Sequence, residues 1–439
     1  MSEGVQIVLK FYKLSEMKIE SRKILSLFVL LLMAACVSVR QGAPVVRHNG
    51  VLQFVVQLNN PASNDLSGVH QVALTADQTR KLKHAQGTLY AVTPLGIVPA
   101  ELSDSNGDGR LDVLVVEAMI PAGGAVALSV YAGNPGDVEF VKKTQAELWH
   151  RTTGNWRNGV YRGGGNFFRF DSLRVPDGFT DHTYFIKYEG PGWESDKVGY
   201  RMYLDWRNAN DVFGKKITDM VLQDVGVDGF ETYHHMADWG MDVLKVGRSL
   251  GIGSIAWFDG EKAVRVEKTD SVMCKIEADG LIRSQVKTWY YGWQTGETKN
   301  NLISLKTIDA GSRMTRELLT FDTPQHNVAT GFIIEKGIDM FEMTSANGKW
   351  RAIASWGEQS LAGDNMGLAV LFPAHQNGRV TADRLSHLVV FEKPLTTVEY
   401  YFLAAWEQEP DGVTTFEAFK AYLQQSLDVL ENPVQASVQ

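Results

Sequence analysis

Side-chain character alternates at a period of two along much of this chain, and that alternation admits little besides a β fold. It is clearest in GPGWESDKVGYRMYLDWRNANDVFGKK (residues 190–216) and IRSQVKTWYYGWQTG (residues 282–296). Read as a strand, the first sends Val198, Tyr200, Met202 and Leu204 to one face. Lys197, Gly199, Arg201, Tyr203, Asp205 and Arg207 take the other. The second gathers Arg283, Gln285, Lys287, Trp289, Tyr291 and Trp293 on one face. A solvated face has little use for tryptophans, and a core has little use for arginines. Guanidinium forks beside flat aromatic rings suit a groove for an acidic sugar, because Arg pairs bidentately with carboxylates and aromatic rings stack on pyranose faces. Trp193, Glu194, Tyr203, Arg207, Arg283, Trp289 and Tyr291 are the candidate substrate-binding residues. The competing reading is a sheet face covered by a loop, with long side chains snorkelling to water.

Shorter strands fill the first third. VLQFVVQL (51–58), GTLYAVTP (87–94), LDVLVVEAM (111–119) and AVALSVYA (125–132) are separated by turn clusters. This spacing predicts a small β-sandwich over 36–140. About a dozen further strands follow, too many for a small sandwich. They predict a large two-sheet, supersandwich-like β-sandwich with one concave face over 141–439. One helix closes the chain: Thr414 and Glu417 read as a capping box, and Phe416, Phe419, Leu423, Leu427 and Leu430 recur at helical spacing. The fold class is all-β with a C-terminal helix.

The amino terminus reads as a targeting segment. Lys18, Arg22 and Lys23 precede an apolar run, Ile24 to Ala35, too short to span a bilayer comfortably. The run ends in Leu32-Met33-Ala34-Ala35-Cys36, a lipoprotein processing pattern. It predicts a signal over 1–35 and a lipidated Cys36, so the membrane is met only through a lipid anchor; an ordinary secretory signal cut near Ala35 is the alternative. Val37-Ser38-Val39-Arg40 follows with no acidic tract, which favours an outer-membrane lipoprotein facing the periplasm. Cys274 is then left without a partner and reads as a buried apolar filler. Formal net charge is -8 and no basic stripe appears, which argues against nucleic acid but not against a local basic patch for an anion.

Two further motifs could carry chemistry. In DSNGDGRLD, Asp104, Asn106 and Asp108 alternate, Gly109 permits a sharp turn and Asp112 follows. This is either a structural calcium loop, lacking the usual twelfth-position acid, or an acidic hairpin turn. No other cofactor is called for. TYHHMADWGMDVLKVGRSLGIG (232–253) clusters Tyr233, His234, His235, Asp238, Asp242 and Lys245, and histidine is the natural proton-transfer group near neutral pH. The serine-esterase elbow, phosphate-cradling glycine loop, zinc-protease motif and paired-cysteine motif are all absent from the sequence.

GPGWESDKVGYRMYLDWRNANDVFGKK, DWGMDVLKVGRSLGIG and DSNGDGRLD together resemble the domain-of-unknown-function 4861 family of exported bacterial proteins from polysaccharide-utilisation loci. The resemblance covers roughly residues 45–430. It implies β-elimination on uronic-acid-containing oligosaccharides, as an oligosaccharide dehydratase or lyase, but carries over no catalytic residue. Such chemistry needs a cation for the uronate carboxylate, a base at C5 and an acid for the leaving oxygen. Arg201 suits the first role, with Arg207 or Arg283 as alternatives. His234 or His235 suits the second and Tyr233 the third. A glycoside hydrolase using Glu194 with Asp238, or a non-catalytic glycan-binding lipoprotein, are the alternatives.

Overall fold

The computed structural model describes residues 48–439. The signal segment 1–35 and Cys36 lie outside the described residues. Strand alternation resolves mainly into a seven-stranded sheet, a nine-stranded sheet and two five-stranded sheets. The nine-stranded sheet is one layer of the large sandwich, built around the antiparallel strands Arg283–Thr295, Thr298–Asp309, Met314–Gln325 and Leu395–Trp406. The two five-stranded sheets form the facing layer. One runs Gly240–Asp242, Asn210–Lys215, Val198–Met202, Gly192–Ser195, Thr144–Glu147; the other contains Val328–Ile333 and Ser386–Phe391. Isolated bridges of Asn210 with Gly251 and of Ile252 with Phe332 join the two.

The core between the layers is where the predicted apolar face goes. Tyr200 and Met202 pack with Tyr290, Leu302, Leu319, Tyr400 and Phe402. The Tyr200 hydroxyl ties the layers, donating to the Arg313 carbonyl (2.6 Å) and accepting from the Ala404 amide (3.0 Å). Trp193 belongs to this core and not to a substrate groove: it is 1% exposed and its Nε1 donates to Thr315 Oγ1 at 2.9 Å. Alternation dictates this, since Trp193 pairs with Tyr200 across the strands. Cys274 is a free, buried core residue whose thiol burial pushes up to about 12.

The second polar-aromatic segment lies in the opposite layer, on the outer face of the nine-stranded sheet. The two faces are therefore separated by the core and cannot line one groove. The seven-stranded sheet and its loops cover Arg283, Gln285 and Lys287. Arg283 pairs with Asp309 (2.6 Å) and donates to Gln71 Oε1, Gln285 donates to the Asp104 carbonyl (2.8 Å), and Lys287 bonds the Gly107 carbonyl. Arg283 is thus an interface residue, not a substrate ligand. Trp289 stays under the Lys287 ammonium and Tyr291 is 42% exposed, both remote from the other layer. Trp293 leaves that face altogether: the register shifts after Tyr290, Gly292 adopts φ +60°, and Trp293 turns into the core.

The seven-stranded sheet closes over its own core of Val56, Leu58, Leu114, Val116 and Leu128. Its edge strand, Gln435–Val438, returns from the end of the chain to pair with Asn49–Asn59. A helix unforeseen in the sequence, Ala76–His84, packs here with only Thr79 and Leu82 buried, too little for an apolar stripe. Its signal is local: Thr75 and Gln78 form a reciprocal capping box. Among the described residues no helix is long and apolar enough to cross a membrane.

The C-terminal helix spans Phe416–Glu431, and Thr415, not Thr414, caps it by accepting from the Ala418 amide (3.2 Å). Phe419, Leu423 and Leu427 pack on Ala352, Ala354, Ala369 and Ala405 of the nine-stranded sheet. Small residues there leave room for the rings; a Cβ on Gly367 would stand 2.3 Å from Phe419. Phe419→Ala should lower unfolding free energy by about 3–5 kcal/mol in urea denaturation, because the rigid sheet cannot collapse into the cavity.

Candidate active site

The polar face of the Val198–Met202 sheet carries two buried ionic groups under one roof. The roof is the segment 216–239, whose Val221, Leu222, Val225, Phe230 and Tyr233 cluster with Tyr188 and Phe213. Beneath it Glu194 is fully buried, bonded to Lys215 Nζ (2.6 Å) and to the Val221 and Leu222 amides (2.9 Å each). Burial raises its pKa. Glu194 therefore holds down the roof and is not a substrate ligand, and the Glu194–Asp238 hydrolase pair loses its first member. Lys187 likewise pairs with Glu147 at 2.6 Å, and Tyr188 donates to the same carboxylate. For this end of the face, the covered-sheet reading is correct.

The other end is organised by Arg201. Its guanidinium donates to Asp211 Oδ2 (2.7 Å), Asp242 Oδ2 (2.7 Å), the Tyr233 hydroxyl (2.7 Å) and the Tyr203 hydroxyl (3.1 Å). Tyr203 in turn donates to Asp211. The strands explain the convergence: Arg201 pairs with Asp211, and Asp242 with Phe213, on neighbouring strands of one face. One cation faces two carboxylates, so the group is short of positive charge. Burial first, then Asp242, pushes Asp211 up to about 6. His234 reaches the same group: its Nε2 lies 3.5 Å from Asp242 Oδ2, its side chain is 42% exposed, and the bond to Asp242 raises its pKa. Burial pushes Tyr233 up to about 12. Because its carboxylates already occupy it, Arg201 is a positioning residue and does not take a substrate carboxylate.

Arg207 extends the network. The strand ends at Met202, and a loop closed by the Tyr203 amide on the Ala209 carbonyl (2.9 Å) carries Arg207 back over the Tyr203 ring, 4.0 Å from its centroid. Arg207 pairs with Asp205, with Glu189 (2.9 Å) and with Asp181 (2.9 Å). Asp181 holds His182 Nδ1 at 2.6 Å. Sequence reasoning missed Asp181 and His182, since alternation assigns no face to a loop, and it grouped Asp242 with the histidines but not with Arg201, 41 residues away. A backbone signal marks the place. Of nine non-glycine residues at positive φ among those described, His182, Tyr184, Tyr188, Glu189 and Asn208 border this network. Such conformations cost about 1–3 kcal/mol each and collect at functional sites.

His235 and Asp238 are exposed on the roof and make no side-chain hydrogen bond or ion pair with the Arg201 group among the described residues. The ligand atoms of Asp181, His182 and Glu189 lie within 4.8 Å of one another, as a metal would need, but Arg207 already neutralises both carboxylates. In the 104–112 loop, Asp104 accepts from the Gly107 and Gly109 amides (2.7 Å each), Asn106 from Asp108 (2.9 Å), Asp108 from Arg110 (2.8 Å), and Asp112 from Ser105 (2.8 Å). These bonds hold the loop in its turn, and a calcium bound here would share oxygens with them.

With this geometry in hand, comparison with known proteins defines the class. The chain matches the model described as Domain of unknown function (DUF4861) over residues 58–436 and belongs to that family. Comparison with curated proteins finds no match. Among solved structures it is similar to an α-mannosidase from Enterococcus faecalis V583, with 9% identity and a TM-score of 0.40 over 88% of this chain and 46% of that one. It is also similar to a protein in glycosyl hydrolase family 38 from Enterococcus faecalis, with 8% identity and a TM-score of 0.40 over 88% and 47%. The chain thus spans just under half the length of these structures.

Two outcomes test the site. Arg201→Lys should destabilise the protein by about 3–5 kcal/mol in urea denaturation, because one ammonium cannot serve two buried carboxylates and two hydroxyls. His234 has its folded pKa raised, so its contribution is fully present below its unfolded value of 6.5 and is lost as pH rises through the folded value. The stability difference between the native protein and His234→Gln should therefore shrink from acid to alkaline pH, and Asp242→Asn should return the His234 NMR titration midpoint toward 6.5.

Proposed function

We propose that this protein is a carbohydrate-active enzyme that carries out β-elimination on a uronic-acid-containing oligosaccharide. The observation that carries the reading is the pairing of Tyr233 and His234 on one turn, ring centroids 4.7 Å apart, both anchored to the Arg201–Asp242 network. A base and an acid side by side are what removal of a C5 proton and expulsion of a C4 oxygen require.

Asp242 engages His234 Nε2 and leaves Nδ1 as the basic atom. In the neutral imidazole Nδ1 takes the C5 proton. The C5–H electrons become the C4=C5 π bond, and the C4–O bond breaks. The Tyr233 hydroxyl accepts from Arg201, and in this reading its own proton passes to the departing oxygen. Its high pKa keeps it protonated until that moment. If the expelled oxygen is a hydroxyl, water leaves an uncut chain; if it is glycosidic, the chain is cleaved. Export as a lipoprotein through Cys36 would bring such an enzyme to oligosaccharides outside the cytoplasm.

The test is ultraviolet absorbance of the purified protein with a panel of oligouronides, followed by mass spectrometry. A conjugated-alkene signal is expected, reduced about 10²–10⁴-fold by His234→Ala or Tyr233→Phe. Shorter products without an alkene would replace elimination with hydrolysis. Binding with neither change would leave a glycan-binding protein.

A further inference from the structure

Elimination beside a carboxylate needs a cation to hold that carboxylate, and the arginines named from sequence cannot supply it. Arg201, Arg207 and Arg283 are each paired with carboxylates of this chain. Arg265 is different. It closes the short strand Ala263–Arg265 and is 5% exposed. Its only side-chain bond is from Nη1 to the Ser249 carbonyl, at 3.1 Å. Among the described residues no carboxylate lies within ion-pair distance of it, and its Nε and Nη2 are neither bonded nor sealed from solvent. Glu267 and Asp205 favour its charge from a distance, but no carboxylate touches it, and a nearly buried guanidinium without a direct partner is costly.

What stands against Arg265 indicates the ligand. Its guanidinium lies 5.3 Å from the centroid of the Trp206 ring, and Trp206 is 46% exposed. A large, rigid, half-open indole beside a cation offers a sugar ring a flat face and its charged group a donor pair. Trp206 sits between Asp205 and Arg207, so this place adjoins the catalytic network through the same loop. Arg207 and Arg248 add positive charge nearby. Among the arginines with a resolved shift, Arg265 alone is lowered, by burial first, with Glu267 and Asp205 only partly offsetting it.

We infer that Arg265 and Trp206 form the anion subsite of the enzyme, Arg265 taking an acidic group of the sugar and Trp206 stacking on its ring. The inference rests on the uronate reading of the neighbouring site and names the residues that would select an acidic substrate. Either a carboxylate or a sulfate ester would satisfy the guanidinium.

Calorimetry with three probes tests it: an unsulfated oligouronide, its carboxyl-reduced counterpart and a sulfated neutral oligosaccharide. The native protein should prefer the oligouronide to the reduced form, and Arg265→Gln should weaken oligouronide binding about 10- to 100-fold while leaving the reduced form unchanged. Loss confined to the sulfated probe would assign the subsite to sulfate. Trp206→Ala, an exposed change, should weaken both oligouronide and reduced form about 3- to 10-fold. Arg265→Gln should melt no lower than the native protein, because no ion pair is broken. Arg265→Gln that keeps both the oligouronide preference and full binding of the sulfated probe, or undiminished binding in Trp206→Ala, overturns the subsite. Lost preference with no alkene from any substrate keeps the subsite and rejects elimination; alkene formation with preference intact does the reverse.

Discussion

A single buried guanidinium, that of Arg201, holds the site together. Two strands, a loop and the roof segment contribute its partners: Asp211 and Asp242, Tyr203, and Tyr233. Without the cation, two buried carboxylates would face each other in a medium that punishes unpaired charge. With it, the sheet face can be polar and dry at once. The same group makes the roof's approach specific, because Tyr233 and His234 must land on Arg201 and Asp242.

Roof and sheet therefore work as one unit. Glu194 anchors the front of the roof through two amides, while the Arg201 group anchors its back. Between them lies an apolar patch, Val221, Leu222, Phe230 and Tyr233, packed on Tyr188 and Phe213. The strained backbone at His182, Tyr184, Tyr188 and Glu189 belongs to the same construction. That turn brings Asp181 and Glu189 onto Arg207, and it persists because those ion pairs and the surrounding rings over-determine it.

The large architecture was legible in the sequence because sheets sort side chains with a period that a reader can count. Val198, Tyr200 and Met202 went inward as alternation requires, and Arg201 with Tyr203 went outward. Errors came where counting stops being reliable. A bulge at Gly292 sent Trp293 into the core, and the two polar-aromatic faces proved to belong to opposite layers. Alternation says which residues share a face, never which faces meet. The helix Ala76–His84 escaped for the opposite reason: a helix packed by two residues leaves no stripe.

The sequence by itself determined the all-β class, the inward side of Val198–Met202, the closing helix and the adjacency of Tyr233 and His234, all of which depend on neighbours in the chain. Tertiary structure decided which charges are spent and which stay available. Arg201, Arg207 and Arg283 look alike in sequence to Arg265, yet folding supplies the first three with carboxylates and leaves the last with a carbonyl and an indole. The reason is that an ion pair depends on distances of a few ångströms between strands and loops far apart in sequence.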